Sequence, residues 1–154
     1  MQMVEGYRGT LMVARRWKQN RDPLYRGDHS VSVCAPTSLA DESIVRHILY
    51  LEGPGRETPY LSTTEHREVA SRFAQPNGVW ETTVPIAASV GVRHISNVEL
   101  LGLMKGNGQG LAKWPSASEV STARRYAEER GEHLLDFRTV NDPSTSTKEI
   151  FKKS

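Results

Sequence analysis

Cysteine is nearly absent from this chain. Cys34 is its only cysteine, which excludes an intrachain disulfide and any cysteine-based metal site. A reducing compartment is the natural home for such a composition. Long apolar runs are missing too. No stretch approaches the roughly 18 residues of a membrane span, so no membrane association is expected. The N-terminus has no signal-peptide pattern, because Val4 to Val13 mixes Glu5, Arg8 and glycines with apolar residues. A cytoplasmic location is therefore expected, and action outside the producing cell would need a specialised delivery route. Metal-site spacing is also lacking. His29, His47, His66, His94 and His133 do not fall in H-E-x-x-H or a related pattern. There is no Walker loop and no G-x-S-x-G elbow. Gly106-Asn107-Gly108-Gln109-Gly110 is not a dinucleotide fingerprint and reads as a mobile loop. Strong charge of either sign is absent: the net charge is +2, too small to argue for nucleic acid by itself.

What is present fits one soluble α+β domain over 1–154. The chain has 154 residues, 37% hydrophobic and 25% charged, enough for a core without staples. Tyr7 to Val13 reads as a first strand. Arg15, Arg16, Lys18 and Arg21 gather around Trp17 as a solvated turn or an anion contact. Leu24 to Asp28 reads as a strand, continued in period two at Val31-Ser32-Val33. Asp41 to Leu51 carries the helical stripe Ile44, Val45, Ile48, Leu49, and Gly53-Pro54-Gly55 ends it. Pro76-Asn77-Gly78 reads as a turn. Val79 to Pro85 and Val90 to Ile95 read as strands. Ser96/Glu99 and Ser116/Glu119 have capping-box spacing, and each opens a helix. The second helix carries Val120, Ala123 and Ala127 on one stripe and ends near Arg130-Gly131. Glu132 to Phe137 follows as a strand, Asn141 to Thr147 as a loop, and Ile150-Phe151 as a last short strand.

The stretch around which the rest is organised is Tyr60-Leu61-Ser62-Thr63-Thr64-Glu65, running on to Ala74. It reads as a short strand passing into a helix with an apolar stripe at Val69, Ala70, Phe73 and Ala74. Ser62 and Glu65 also have capping-box spacing, so Ser62 as a plain N-cap is a complete account of that serine.

Taken with its neighbours, the stretch resembles the signature of ADP-ribosyltransferase domains of the Arg–Ser–Glu class, a group that includes many bacterial toxin catalytic domains. Leu24-Tyr25-Arg26-Gly27-Asp28 is similar to the family's first-strand Tyr-Arg motif. Tyr60-Leu61-Ser62-Thr63-Thr64 with its following helix is similar to the Ser-Thr-Ser/Thr strand. Glu132-His133-Leu134-Leu135-Asp136-Phe137 is similar to the strand that opens with the catalytic glutamate. The resemblance implies two small, mostly antiparallel sheets with flanking helices, NAD as substrate and no metal. It implies NAD positioning by Arg26, site scaffolding by Ser62 and Thr63, and catalysis by Glu132, with Gly27, Tyr60 and Thr64 lining the NAD site. It further implies mono-ADP-ribosyl transfer to a macromolecular acceptor, or NAD hydrolysis, by a toxin or effector with an immunity or antitoxin partner.

The residue types suit that chemistry. A carboxylate stabilises the oxocarbenium-like state formed as the nicotinamide–ribose bond breaks, and can take a proton from an acceptor. An arginine presents a fixed fork of donors to phosphates. The sequence departs from the family at Arg130, since many protein-modifying members carry Glu or Gln two residues before the catalytic glutamate. Glu119 is a rival for Glu132, and Arg8 in Gly6-Tyr7-Arg8-Gly9 is a rival for Arg26. Tyr25, Tyr60, Trp80 and Trp114 are candidates to stack on nicotinamide, although buried aromatics are mostly core. Two other classes stay open. One is an RNA-directed toxin, ribonuclease or RNA-binding, with Arg15, Arg16, Lys18, Arg21, Arg124, Arg125 and the Lys152-Lys153 tail on phosphates. The other is a catalytically inactive interaction domain.

Overall fold

The computed structural model describes residues 3–7, 10–13, 17–27, 41–50, 58–74 and 78–154. In chain order these form β1 (Met3–Tyr7), β2 (Thr10–Val13), β3 (Leu24–Gly27), α1 (Ile44–Tyr50), β4 (Tyr60–Thr64), α2 (Arg67–Ser71), β5 (Val79–Thr82), α3 (Val84–Ala88), β6 (Arg93–Ile95), α4 (Asn97–Leu103), α5 (Ala117–Arg130), β7 (Glu132–Asp136), α6 (Pro143–Ile150) and β8 (Lys152–Lys153). A 3₁₀ turn at Gly110–Ala112 precedes α5.

The centre is an antiparallel sheet of six strands in the order β6-β7-β4-β3-β5-β8; β1 and β2 form a separate hairpin. The three strands that carry Arg26, Ser62 and Glu132 are thus adjacent. The core divides by sheet face, as period-two side chains require. On one face Tyr60 and Leu134 pack with Ile44, Val45 and Ile48 of α1, Leu100 of α4, and Val120, Ala123 and Ala127 of α5. On the other, Leu24, Leu61 and Leu135 pack with Val84 and Ala87 of α3 and Ile150 of α6. Full burial of each such aliphatic side chain is worth about 1.5–3 kcal/mol.

The α+β class expected from the sequence holds, but the two small sheets do not. All four residues of β3 pair with β5, while the other side of β3 meets β4 at one rung, Tyr25 opposite Thr64. That rung joins what would be two three-stranded sheets into one. Beyond it, α2 packs close to β3. A Cβ on Gly27 would lie 1.7 Å from the Ala70 carbonyl oxygen, so this glycine is set by the approach of backbone to backbone.

Several local expectations also change. Ser62 is not an N-cap: it sits inside β4, held by five rungs against β7, and the β-favouring flanks Tyr60, Thr63 and Thr64 suit that strand. The helix starts three residues later than Thr64, with His66 at its N-cap. It ends at Ser71, which leaves Phe73 outside the expected stripe and 47% exposed. The expected strand at Val79–Pro85 stops at Thr82. Thr83 caps α3 by accepting from the Ile86 N–H, and Pro85 sits in the first turn, where its missing N–H costs nothing. Val90–Ile95 shortens to β6. Residues 141–147 are not a loop but lead into α6. Asp142 caps it through the Thr145 N–H at 3.2 Å, and Thr147 and Ile150 are buried. The last strand is Lys152–Lys153, paired with Trp80 and Glu81, rather than Ile150-Phe151. Tyr7–Val13 resolves into the β1–β2 hairpin. The Ser96 and Ser116 caps hold, accepting from the Glu99 and Glu119 N–H groups at 3.1 and 3.3 Å. The Gly106–Gly110 segment is a tight turn, with Gln109 N–H donating to the Leu103 carbonyl at 2.8 Å. Arg8, Arg15, Arg16, Asp28, His29, the Val31–Val33 strand, Cys34, the Gly53-Pro54-Gly55 stop and Pro76-Asn77 lie outside the described residues.

Candidate active site

Gly131 closes α5 in the left-handed conformation, φ 56°, and turns the chain at once into β7. Glu132 is therefore the first residue of that strand, opposite Thr64 of β4. Ser62 lies two residues along β4, on the same sheet face, and so is a diagonal neighbour of Glu132. Its Oγ donates to Glu132 Oε2 at 2.7 Å.

A third residue completes this contact. His47 of α1 is fully buried. Its Nε2 lies 2.8 Å from Ser62 Oγ, and its Nδ1 lies 2.7 Å from Thr58 Oγ1. A hydroxyl has one proton to give. With the Ser62 proton directed at Glu132, His47 Nε2 carries a hydrogen and donates to Ser62 Oγ. In the neutral ring Nδ1 then accepts from Thr58, whose hydroxyl turns to it at 2.7 Å rather than to the Tyr60 carbonyl at 3.3 Å. The four groups form a directed chain, Thr58 to His47 to Ser62 to Glu132, in which each donor polarises the next. Spacing in the sequence does contain a signal for His47. It falls three residues after Ile44, on the buried stripe of α1, where a polar residue needs a partner.

The backbone around Glu132 is tied from several sides. Asn97 Nδ2 donates to the Glu132 carbonyl at 2.9 Å and to the Ala127 carbonyl at 3.1 Å. Thr64 Oγ1 donates to the Arg130 carbonyl, Thr63 Oγ1 to the His133 carbonyl at 3.0 Å, and Glu65 N–H to the Gly131 carbonyl at 3.2 Å. Glu132 itself is 3% exposed, and Ser62 is half-buried.

Arg26 joins the cluster from β3. Past the single β3–β4 rung, its Nη1 donates to the Ser62 carbonyl at 2.9 Å. The guanidinium thus stands where the backbone ladder stops, and it is 7% exposed. Arg26, Ser62 and Glu132 are brought together. The remaining sequence candidates play supporting parts. Gly27 gives α2 room, Thr63 and Thr64 brace the β7 entry, and Tyr60 is fully buried with its hydroxyl donating to the Glu42 carbonyl at 2.7 Å. The Tyr60 ring meets His47 edge-on, with centroids 5.6 Å apart. Burial pushes the Tyr60 hydroxyl above its ordinary pKa, so it stays protonated. Glu119 does not join. It accepts from Trp114 Nε1 at 3.0 Å in the first turn of α5, and the helix from there to Arg130 rises about 16 Å. Trp114 is held by that bond and packs on the core.

A second polar cluster occupies the opposite sheet face. His133 Nε2 lies 2.7 Å from Glu65 Oε2, and His133 Nδ1 lies 2.9 Å from His94 Nε2. The two imidazoles are stacked, and Trp17 packs on His133 with centroids 4.4 Å apart. Burial, then the neighbouring His133, pulls His94 down to a pKa of about 4. Among the described residues no group of three or more His, Cys, Asp and Glu is placed to hold a metal ion. None of the helices among them is long and apolar enough to cross a membrane.

Comparison with protein-family models, with curated proteins and with solved structures returns no match for this chain.

Proposed function

We propose that the chain is an NAD-dependent mono-ADP-ribosyltransferase domain of the toxin or effector kind, with NAD hydrolysis as the outcome when water replaces the acceptor. The observation that carries this reading is the Ser62–Glu132 hydrogen bond, 2.7 Å, with the Arg26 guanidinium on the same serine's carbonyl. An ordered arginine, serine and glutamate on three neighbouring strands is the constellation this chemistry uses.

In this reading Glu132 faces the ribose of NAD. The bond from ribose C1′ to the nicotinamide nitrogen breaks, and its electron pair leaves with neutral nicotinamide. The Glu132 carboxylate offsets the positive charge that develops on the ribose. It then takes the proton released as the acceptor's nucleophile bonds to C1′. Arg26 holds the phosphates. Ser62 and His47 fix the rotamer of Glu132, so the carboxylate need not be ordered during the reaction. An immunity or antitoxin protein is the expected partner, and the cytoplasm the expected site of action.

The test is nicotinamide release from NAD by the purified protein, alone and with cell lysate as acceptor source, beside Glu132→Gln and Glu119→Gln of verified fold. Release lost only in Glu132→Gln is expected. Loss only in Glu119→Gln would move the site to α5. No release under either condition would sink the transferase reading.

A further inference from the structure

We propose that the C-terminal turns of α5 and the segment after α2 form a docking face for single-stranded nucleic acid at the rim of the Ser62–Glu132 site. Four flat groups alternate there. The Arg125 guanidinium lies 5.7 Å from the Tyr126 ring centroid, and Arg130 lies 4.9 Å from that ring on its way to Phe73. Arg130 is also 5.9 Å from the Phe73 centroid, and Phe73 is 47% exposed. The order is Arg125, Tyr126, Arg130, Phe73. Each guanidinium carbon lies within 6 Å of a ring centroid, and the row ends in an aromatic open to solvent.

The position matters as much as the composition. Arg130 stands two residues before Glu132, and its carbonyl accepts the Thr64 hydroxyl at the end of the β4–β7 ladder. The stack therefore stands beside the turn by which the chain enters β7, the strand that Glu132 opens. A ligand that suits the stack must bring planar faces and negative charge in alternation. Single-stranded nucleic acid has both: its bases stack on aromatic and guanidinium planes, and its phosphates pair with the cations. An acidic peptide offers the charge without the planes. A guanidinium-bearing acceptor would be repelled by Arg130.

The surrounding charge sets the expected strength. Arg67 and Arg72 add to the basic side, while Glu68, Glu128 and Glu129 oppose it. Arg125 and Glu129 approach to 4.0 Å with both side chains more than 60% exposed, a pair worth little. The excess is small, so stacking carries more of the affinity than phosphate contact, and the salt dependence is shallow. The further step, that the bound strand is the acceptor of ADP-ribose, rests on the transferase reading. There a base or hydroxyl of the strand bonds to ribose C1′ as nicotinamide leaves, and gives its proton to Glu132.

The experiment uses the full chain and a fluorescein-labelled single-stranded RNA, followed by anisotropy across a salt series, beside Phe73→Ala, Arg130→Gln and Glu132→Gln. Phe73 is exposed and Arg130 lends the ladder only its carbonyl, so thermal unfolding should show both variants folded. Phe73→Ala is expected to weaken binding about tenfold. Arg130→Gln should weaken it and lower the salt slope by about 0.7. Glu132→Gln should bind as the parent does. Binding unmoved by Phe73→Ala and Arg130→Gln, or no binding, overturns the docking face. With NAD labelled in its adenylate phosphate and lysate added, label removed by nuclease supports the strand as acceptor. Label removed only by protease overturns that step. Absence of NAD cleavage beside Phe73-dependent RNA binding would overturn the transferase reading and leave the docking face standing.

Discussion

Ser62 Oγ and Glu132 Oε2 meet at 2.7 Å although 70 residues separate them along the chain. The contact exists because β4 and β7 run antiparallel with Thr64 opposite Glu132, which puts Ser62 one diagonal step away on the same face. Ser62→Ala would remove the Ser62 hydroxyl from both His47 Nε2 and Glu132 Oε2. Losing the two hydrogen bonds costs about 1–3 kcal/mol of stability in total. Denaturant unfolding measures that loss, and NAD cleavage by the same variant should fall because Glu132 loses its orienting bond. Unchanged stability and unchanged cleavage together would remove Ser62 from the site.

His47 acts through Ser62, so its role is positional. His47→Phe keeps much of the volume but breaks the directed chain from Thr58 to Glu132. The expected result is a fall in kcat of about 10²-fold from a misplaced carboxylate, with KM for NAD held because Arg26 and its contact to the Ser62 carbonyl are untouched. Steady-state nicotinamide release separates the two constants. A rise in KM with kcat unchanged would instead make His47 part of the NAD-binding surface.

Gly27 is the least replaceable residue of the Tyr-Arg-Gly strand. In Gly27→Ala the new Cβ would fall 1.7 Å from the Ala70 carbonyl oxygen and 3.1 Å from the Ala74 nitrogen. Both are backbone, so no side chain can swing aside. The α2 segment must move away from β3, at a cost of about 3 kcal/mol. A drop in thermal midpoint checks this. Because β3 also presents Arg26 to Ser62, NAD affinity should weaken in the same variant.

How far the sequence revealed this arrangement depends on the kind of signal. Arg26, Ser62 and Glu132 are legible only together, through the ordered resemblance of their three strands to the Arg–Ser–Glu signature; singly, each reads as an ordinary strand or cap residue. His47 was masked by its neighbours: Ile44, Val45, Ile48 and Leu49 make a complete apolar stripe, and the histidine reads as a polar interruption of it. The role of Ser62 was ambiguous, since Ser62 and Glu65 have capping spacing, yet five cross-strand rungs outweigh one cap. The α6 helix was hidden because Pro143-Ser144-Thr145-Ser146-Thr147 has low helix propensity. It forms through the Asp142 cap and through tertiary burial of Thr147 and Ile150, which no local rule reports. The joining of two half-sheets turns on one rung, Tyr25 to Thr64, a fact of register that the sequence does not display.

The cluster on the opposite face makes stability depend on pH. His94 is pulled from an ordinary 6.5 to about 4, first by burial and then by His133. The groups facing it are the His133 imidazole, itself paired with Glu65, and the Trp17 ring. The folded pKa lies below the unfolded one, so the unfolded chain takes up the proton first as pH falls. Stability from this group is therefore complete above about pH 6.5 and is lost as pH drops toward 4. Because His94 is only half-buried, the loss should be roughly 1–2 kcal/mol rather than the full linkage value. Urea unfolding at pH 7, 6, 5 and 4.5 (about half-unit control suffices) should show the decline. His94→Gln keeps a donor for His133 Nδ1 without a titrating ring, and it should flatten the curve over that window. A slope that survives in His94→Gln would assign the titration to other groups and leave the His94–His133 contact with a packing role alone.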